Sequence, residues 1–155
     1  MTGYGHVLAA LAALANGIAA GIMLATVIGI VPLFLALPYG RYVETVQFLR
    51  PRFDPVMPLT NGLTLLLDVA LTVGPARGTA AAGCAAAALL QAAVMGISIA
   101  RNVPVNRMVM ALDATREPAD WARIDPRRRW RAWNLARTLL ALTAFAVNVV
   151  VTATA

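Results

Sequence analysis

Residues 7–37 read VLAALAALANGIAAGIMLATVIGIVPLFLAL, without one charged side chain. A helix rises about 1.5 Å per residue and the hydrocarbon core of a bilayer is about 30 Å thick, so roughly 20 apolar residues suffice to cross it. This stretch is longer than that, and it is apolar on every helical face, as a membrane span is. Pro32 is expected to kink its end, and Pro38-Tyr39-Gly40 to terminate it.

Working outward, residues 79–100 and 138–155 are also free of charge, the latter extended backward by 130–137. Residues 58–74 are interrupted only by Asp68. The whole chain is 60% hydrophobic and 13% charged with a mean hydropathy of +0.73, whereas an ordinary soluble domain is about 25% charged. The expected fold is therefore all-α: a four-helix transmembrane bundle, a single integral membrane domain over 1–155 with spans near 7–37, 58–74, 79–100 and 131–155. The opening MTGYGH carries no Lys or Arg, and the apolar run behind it is too long for a signal-peptide core, so a retained first helix is expected.

The connections carry most of the charge. Between residues 41 and 50, Tyr42, Val43, Val46 and Leu49 share one helical face, which predicts a short amphipathic helix at the interface. Pro51, Pro55 and Pro58 then predict an irregular turn. Val105, Met108, Val109 and Leu112 predict a second interfacial helix over 105–116, followed by a turn at Glu117-Pro118-Ala119-Asp120. Asp125-Pro126 supplies an N-cap acceptor and an N1 proline, so the fourth helix begins ahead of the membrane.

Loop 38–57 holds three arginines and loop 101–131 eight, against Arg77 alone in the turn at 74–78. Eleven against one places both Arg-rich loops in the cytoplasm and the termini outside. The net charge of +6 is thereby accounted for without nucleic acid. The lone Cys84 forms no intramolecular disulfide, and His6, the sole histidine, is read as polar surface.

Few polar residues lie within the spans. The first contains Asn16 and a small-xxx-small pair, Gly17 and Gly21, suited to close helix approach. In the second, Thr60, Thr64, Asp68 and Thr72 recur every four residues, so this stripe faces protein. A buried ionisable group costs about 2.5–3.5 kcal/mol on insertion scales, so Asp68 is paired, protonated or turned to a cavity, as a structural partner or as a functional carboxylate. The alanines around Cys84 predict close packing on more than one side.

Residues 101–137 hold nine of the thirteen arginines and all three tryptophans. Asn102 and Asn106 flank Pro104, which has no N–H and disfavours helix before it, so a kink or break is expected there. The two amides then serve the freed backbone groups or face a ligand. On the fourth helix Trp130, Asn134, Arg137, Ala141 and Asn148 fall near one stripe, with Trp133 beside it. Arg127, Arg128, Arg129 and Arg131 are expected to snorkel to headgroups, and the tryptophans to anchor at the interface. Arg137 lies roughly 9 Å deeper and needs a partner: Asp68, a backbone carbonyl or an anionic ligand.

The combination of Asn-x-Pro-x-Asn at 102–106, Trp121, and Arg-Trp-x-x-Trp-Asn-x-x-Arg at 129–137 resembles the anthrone oxygenase-like family of small four-helix membrane proteins. The glycines and Pro32 of the first span, and the region from Leu37-Pro38 to Tyr42-Val43, are similar as well. The resemblance implies a membrane oxygenase that, in aromatic polyketide pathways, oxidises an anthrone to an anthraquinone with dioxygen. An anthrone is a weak carbon acid. Its enolate reacts with dioxygen without a metal once a base removes the proton and donors stabilise the oxyanion.

On that reading Asn102, Asn106, Asn134 and Arg137 supply donors, Trp130 and Trp133 a flat wall with Trp121 as a further substrate contact, and Asp68 a base if its helix faces the same cavity. No cofactor is implied, and a chain with one histidine composes no His-rich copper or iron site. The expected partners are a lipophilic aromatic small molecule, dioxygen, the lipid bilayer and a second copy of the chain. Two other readings stand beside this one. In a small proton-coupled transporter, Asp68 and Arg137 would be the coupling charges. In a non-catalytic partner protein, the motif only fixes the corner between the third and fourth helices.

Overall fold

A computed structural model describes residues 3–154. Its helices are α1 (Gly3–Ala25), α2 (Val31–Ala36), α3 (Tyr39–Phe53), α4 (Val56–Val73), α5 (Gly78–Ile97), α6 (Val103–Met110), α7 (Trp121–Ile124) and α8 (Arg127–Thr154), with no strand among the described residues. Short π-helical segments, Thr26–Ile30 and Ser98–Asn102, join α1 to α2 and α5 to α6. Four stretches are long and apolar enough to cross a membrane: Gly3–Ala36, Val56–Val73, Gly78–Met110 and Trp121–Thr154. The four expected spans are therefore present, and the third runs on past residue 100 to Met110.

The prolines explain that extension. An internal proline lacks an N–H and its ring collides with the carbonyl four residues earlier. A π turn pairs residues five apart and absorbs both defects. Ahead of Pro104 the Val103 N–H donates to the Ser98 carbonyl, and ahead of Pro32 the Val31 N–H donates to the Thr26 carbonyl. Of the kink or break expected at Asn102–Asn106, there is no break: the helix continues through a widened turn.

Two further expectations are corrected. Pro51 lies inside α3 and Pro58 in the first turn of α4, so the connection narrows to Asp54-Pro55. The helix expected over 105–116 is α6, the continuation of the third span, and residues 111–120 are turns and bends.

α1 packs against α4 and α8, and α5 packs against the same two helices, which leaves α1 opposite α5 and α4 opposite α8. Small residues permit this closeness: Ala12, Ala19, Ala87, Ala141 and Ala144 are wholly buried. Of the small-xxx-small pair, only Gly17 is a close contact. A Cβ there would stand 2.9 Å from the Phe145 ring, whereas Gly21 faces open space.

The two Arg-rich loops pack into each other at one end of the bundle. Tyr39, Tyr42, Val43, Val46, Val109 and Trp121 form a core there with Phe34 and Val105. The Tyr39 hydroxyl donates to the Asp113 carbonyl at 2.8 Å, and Gln47 Nε2 to the Leu112 carbonyl at 3.0 Å. Burial pushes the Tyr42 hydroxyl up from its ordinary range; the Asp125 carboxylate adds to the shift and the Arg127 guanidinium opposes it. The Asp113 carboxyl is held below its usual range, first by the Thr115 hydroxyl and then by the Thr115 N–H.

The expected N-cap is in place, with Asp125 Oδ1 accepting the Arg127 N–H at 3.0 Å. The Arg127 side chain does not snorkel. It pairs with Asp125 at 2.6 Å and donates to the Phe34 and Leu37 carbonyls at 3.0 and 2.7 Å. It therefore closes the C-terminal end of α2, where helical carbonyls have no partner of their own.

Gly40 meets the other loop so closely that a Cβ would stand 2.6 Å from the Ala114 carbonyl oxygen. Backbone cannot swing aside as a side chain can. Gly40→Ala is expected to destabilise the fold by roughly 1–3 kcal/mol, as overpacking does, read as a lower thermal midpoint in detergent. An unchanged midpoint would show that this end has slack.

Candidate functional site

Between the four spans, under α3, lies a cavity of about 410 Å³. Met23, Ile30, Phe34, Val46, Leu49 and Phe53 give it apolar walls. Its polar lining comes from Arg50 and Asp54 on α3, Asn61 on α4, Ser98, Asn102 and Asn106 in the third span, and Trp130 and Arg137 on α8. Both π-helical segments contribute to it, through Thr26 and Ile30 on one side and Ser98, Ile99 and Asn102 on the other. A π turn inserts one residue relative to a regular helix and so re-aims the side chains after it.

Arg137 is the charge inside this space. Its Nη1 donates to Ser98 Oγ at 3.0 Å, and its Nε and Nη2 donate to Asn134 Oδ1 at 3.1 and 2.7 Å. A guanidinium has five N–H donors, so two remain. Among the described residues no carboxylate forms an ion pair with it. Asn134, one turn earlier on the same face, is wholly buried, and holds the guanidinium in place.

Asn102 is 1% exposed and neither atom of its amide has a hydrogen-bond partner. Leaving a buried polar group unpaired costs about 1–3 kcal/mol, a cost found where a ligand is to be met. Asn106 is different: its Oδ1 accepts the Trp130 indole N–H at 3.0 Å. That bond sets the plane of Trp130, which lies 5.7 Å from the Phe34 ring at a 45° tilt.

Four of the residues singled out in the sequence therefore line one cavity, namely Asn102, Asn106, Trp130 and Arg137, with Asn134 directly behind Arg137. The other three lie elsewhere. Trp121 is buried in the loop-end core against Tyr39, with ring centroids 4.8 Å apart. Trp133 does not line the cavity and carries the Arg101 guanidinium 5.0 Å above its ring. Asp68 is wholly buried, accepts a 3.4 Å bond from Asn148, and neither lines the cavity nor pairs with Arg137. Its helix does face the cavity, through Asn61, but the Asp68 side chain itself is not part of the lining.

Sequence reasoning missed Arg50, Asp54, Asn61 and Ser98. Arg50 and Asp54 form an i, i+4 ion pair at 3.0 Å in the cavity lining, a spacing visible in the sequence. Ser98 precedes Asn102 by one turn, but nothing local shows that it meets Arg137. In chemical terms the site offers a guanidinium with spare donors and an unpaired amide, within apolar walls and one aromatic plane. Such a place suits the oxygen of a flat lipophilic molecule, and favours it further when that oxygen becomes an anion.

No curated protein and no solved structure matches the chain. A family profile described as anthrone oxygenase matches residues 52–147, more than half of the sequence. The matched part includes Asn61, Ser98, Asn102, Asn106, Trp130 and Arg137, all of which line the cavity. The chain belongs to the anthrone oxygenase family.

Proposed function

We propose that this protein is a membrane-embedded oxygenase that oxidises a lipophilic, weakly acidic aromatic ketone of the anthrone type with dioxygen. The observation that carries the reading is Arg137, ion-paired with no carboxylate among the described residues, lining the same cavity as the unpaired Asn102 amide. The ketone oxygen lies against these donors, and the ring system lies on Trp130 between apolar walls. Loss of a proton from the methylene carbon gives the enolate, whose oxyanion Arg137 and Asn102 stabilise. Dioxygen adds at that carbon to form a C–O bond. The O–O bond then breaks with loss of the second methylene hydrogen, so that water leaves and a second carbonyl remains. Dioxygen is the oxidant throughout and the balance closes without another.

Asp54 lines the cavity but is already bonded to Arg50, and a carboxylate held by a guanidinium is a weak base. We assign that pair to the mouth. The chain acts as one integral membrane domain, and the eleven loop arginines support placing the loop end in the cytoplasm.

The test is dioxygen uptake by the purified protein in lipid with a set of anthrones, with the anthraquinone quantified. One dioxygen per quinone is expected. Uptake no faster than in protein-free lipid across the set would end the proposal. Asn102→Ala is expected to slow the reaction about a hundredfold, the low end for loss of one oxyanion donor, while leaving the thermal midpoint unchanged or higher because an unpaired buried amide is removed.

A further inference from the structure

Beneath the cavity the interior of the bundle is polar where an apolar core would be expected. One apolar cluster, Ala20, Met23, Val94 and Ala141, borders the cavity level, and another, formed by Ala9, Ala12, Leu71, Cys84 and Val151 with Ala76, closes the far end. Between them every span contributes buried polar residues: Asn16 from α1, Thr64 and Asp68 from α4, Gln91 from α5 and Asn148 from α8.

Helical spacing orders these residues. Asn16 is one turn from both Ala12 and Ala20, Asp68 is one turn from Leu71, and Asn148 one turn from Val151, so the three share a tier. Thr64 and Gln91 lie one turn nearer the cavity. Gln91 Nε2 donates to Asn61 Oδ1 at 2.5 Å, and Asn61 lines the cavity itself. A polar column thus runs from the cavity down to Asp68 and stops at the apolar cluster.

The column is short of hydrogen bonds. Asn148 Nδ2 donates to Asp68 Oδ2 at 3.4 Å, but Asp68 Oδ1, Gln91 Oε1 and both amide atoms of Asn16 have no partner, and all three residues are wholly buried. Three of those four atoms are acceptors. No ion pair reaches Asp68 among the described residues. The groups facing it are the Cys84 thiol from α5 and Asn148 from α8, and helical spacing puts Asn16 of α1 at the same level. A lone carboxylate at membrane depth is costly, and a proton removes that cost.

We propose that Asp68 is a buried proton-binding site that exchanges with the cavity and not with the opposite face of the bundle. The O–H forms on Oδ1, the oxygen that Asn148 leaves open, with Asn16 Oδ1 in the same tier as its acceptor. Thr64, Gln91 and Asn61 form the polar line between Asp68 Oδ1 and the cavity. The far cluster seals the other end, which is the reverse of what a coupled transporter needs. The role of such a store rests on the oxygenase reading: that reaction releases a proton when the enolate forms and takes one back as water leaves, so a one-sided site suffices. The existence of the site does not rest on it.

Infrared spectroscopy of the full chain in lipid, without substrate, tests the site. A protonated-carboxyl band is expected at neutral pH, shifted by carbon-13 labelling of aspartate, shifted again in deuterium oxide, and lost in Asp68→Asn. Asp68→Asn preserves shape, and the isotope shift identifies the band even if that variant folds badly. Gln91→Leu is expected to slow the deuterium exchange, whereas Ala12→Leu, which thickens the far cluster, is expected to leave it unchanged.

Three results would overturn the proposal: no such band, a band removed by sodium at constant pH, or exchange slowed by Ala12→Leu but not by Gln91→Leu. The second would mean a cation site and the third access from the opposite face. Because no substrate is involved, these outcomes are independent of whether anthrones are oxidised. In the oxygenase assay Asp68→Asn is expected to lower kcat with little change in KM.

Discussion

Arg137→Ala is expected to lower kcat for anthrone oxidation by about 10² to 10³-fold, the usual cost of removing a donor aimed at a developing oxyanion. The size follows from surroundings in which charge is poorly screened: the guanidinium faces apolar walls, pairs with no carboxylate, and is held by Ser98 and Asn134. Binding of the neutral ketone depends less on this charge, so KM is expected to move far less than kcat. Arg137→Lys is expected to recover little of the rate, because a compact ammonium cannot keep both the Asn134 fork and a donor for substrate. The measurement is steady-state dioxygen uptake, with helical content checked by circular dichroism. A rate within threefold of the parent, in a folded variant, would take Arg137 out of the chemistry.

Arg127→Ala is expected to cause a large loss of stability, about 2 kcal/mol, below the cost of breaking a fully buried pair because this one is half-buried. The Asp125 carboxylate would lose its guanidinium, and the Phe34 and Leu37 carbonyls would lose their donor at the end of α2. Asp125 would still cap α8 through the Arg127 backbone N–H, so the damage falls on the α2 end and on the core it borders. The midpoint of unfolding in detergent, compared with Arg128→Ala, measures the effect. Arg128 is exposed, and its loss is expected to fall within about 0.5 kcal/mol of zero, as surface changes do. Equal midpoints for the two variants would contradict the assigned role.

That comparison shows where sequence reasoning stops. Arg127, Arg128, Arg129 and Arg131 are equivalent as letters, and charge counting treats them alike. Only the packing of residues 34–37 beside residue 127 separates the first from the others. The spans themselves were legible because hydropathy is a property of each helix alone, and the Asp125-Pro126 start because capping is local. The second-span stripe was legible in part: Thr64 and Asp68 are buried on one face of α4, whereas Thr60 and Thr72 are only half-buried. The tryptophans were not, since spacing does not tell a ring in a cavity wall, Trp130, from one in the loop-end core, Trp121, or one under an arginine, Trp133. Nor were the π turns, because both prolines are followed by a regular helix once a single extra residue has been taken up ahead of them.

Those two turns have a geometric consequence. Each lies just ahead of a Val-Pro pair, Val31-Pro32 and Val103-Pro104, in helices that stand diagonally opposite and run in the same direction. The two π turns thus reach the cavity from opposite corners of the bundle with different side chains. Thr26 and Ile30 decorate one half, while Ser98 and Asn102 decorate the other. Extra length taken up at two facing prolines widens the bundle on both sides of one space, so the cavity is a product of where the two Val-Pro pairs fall.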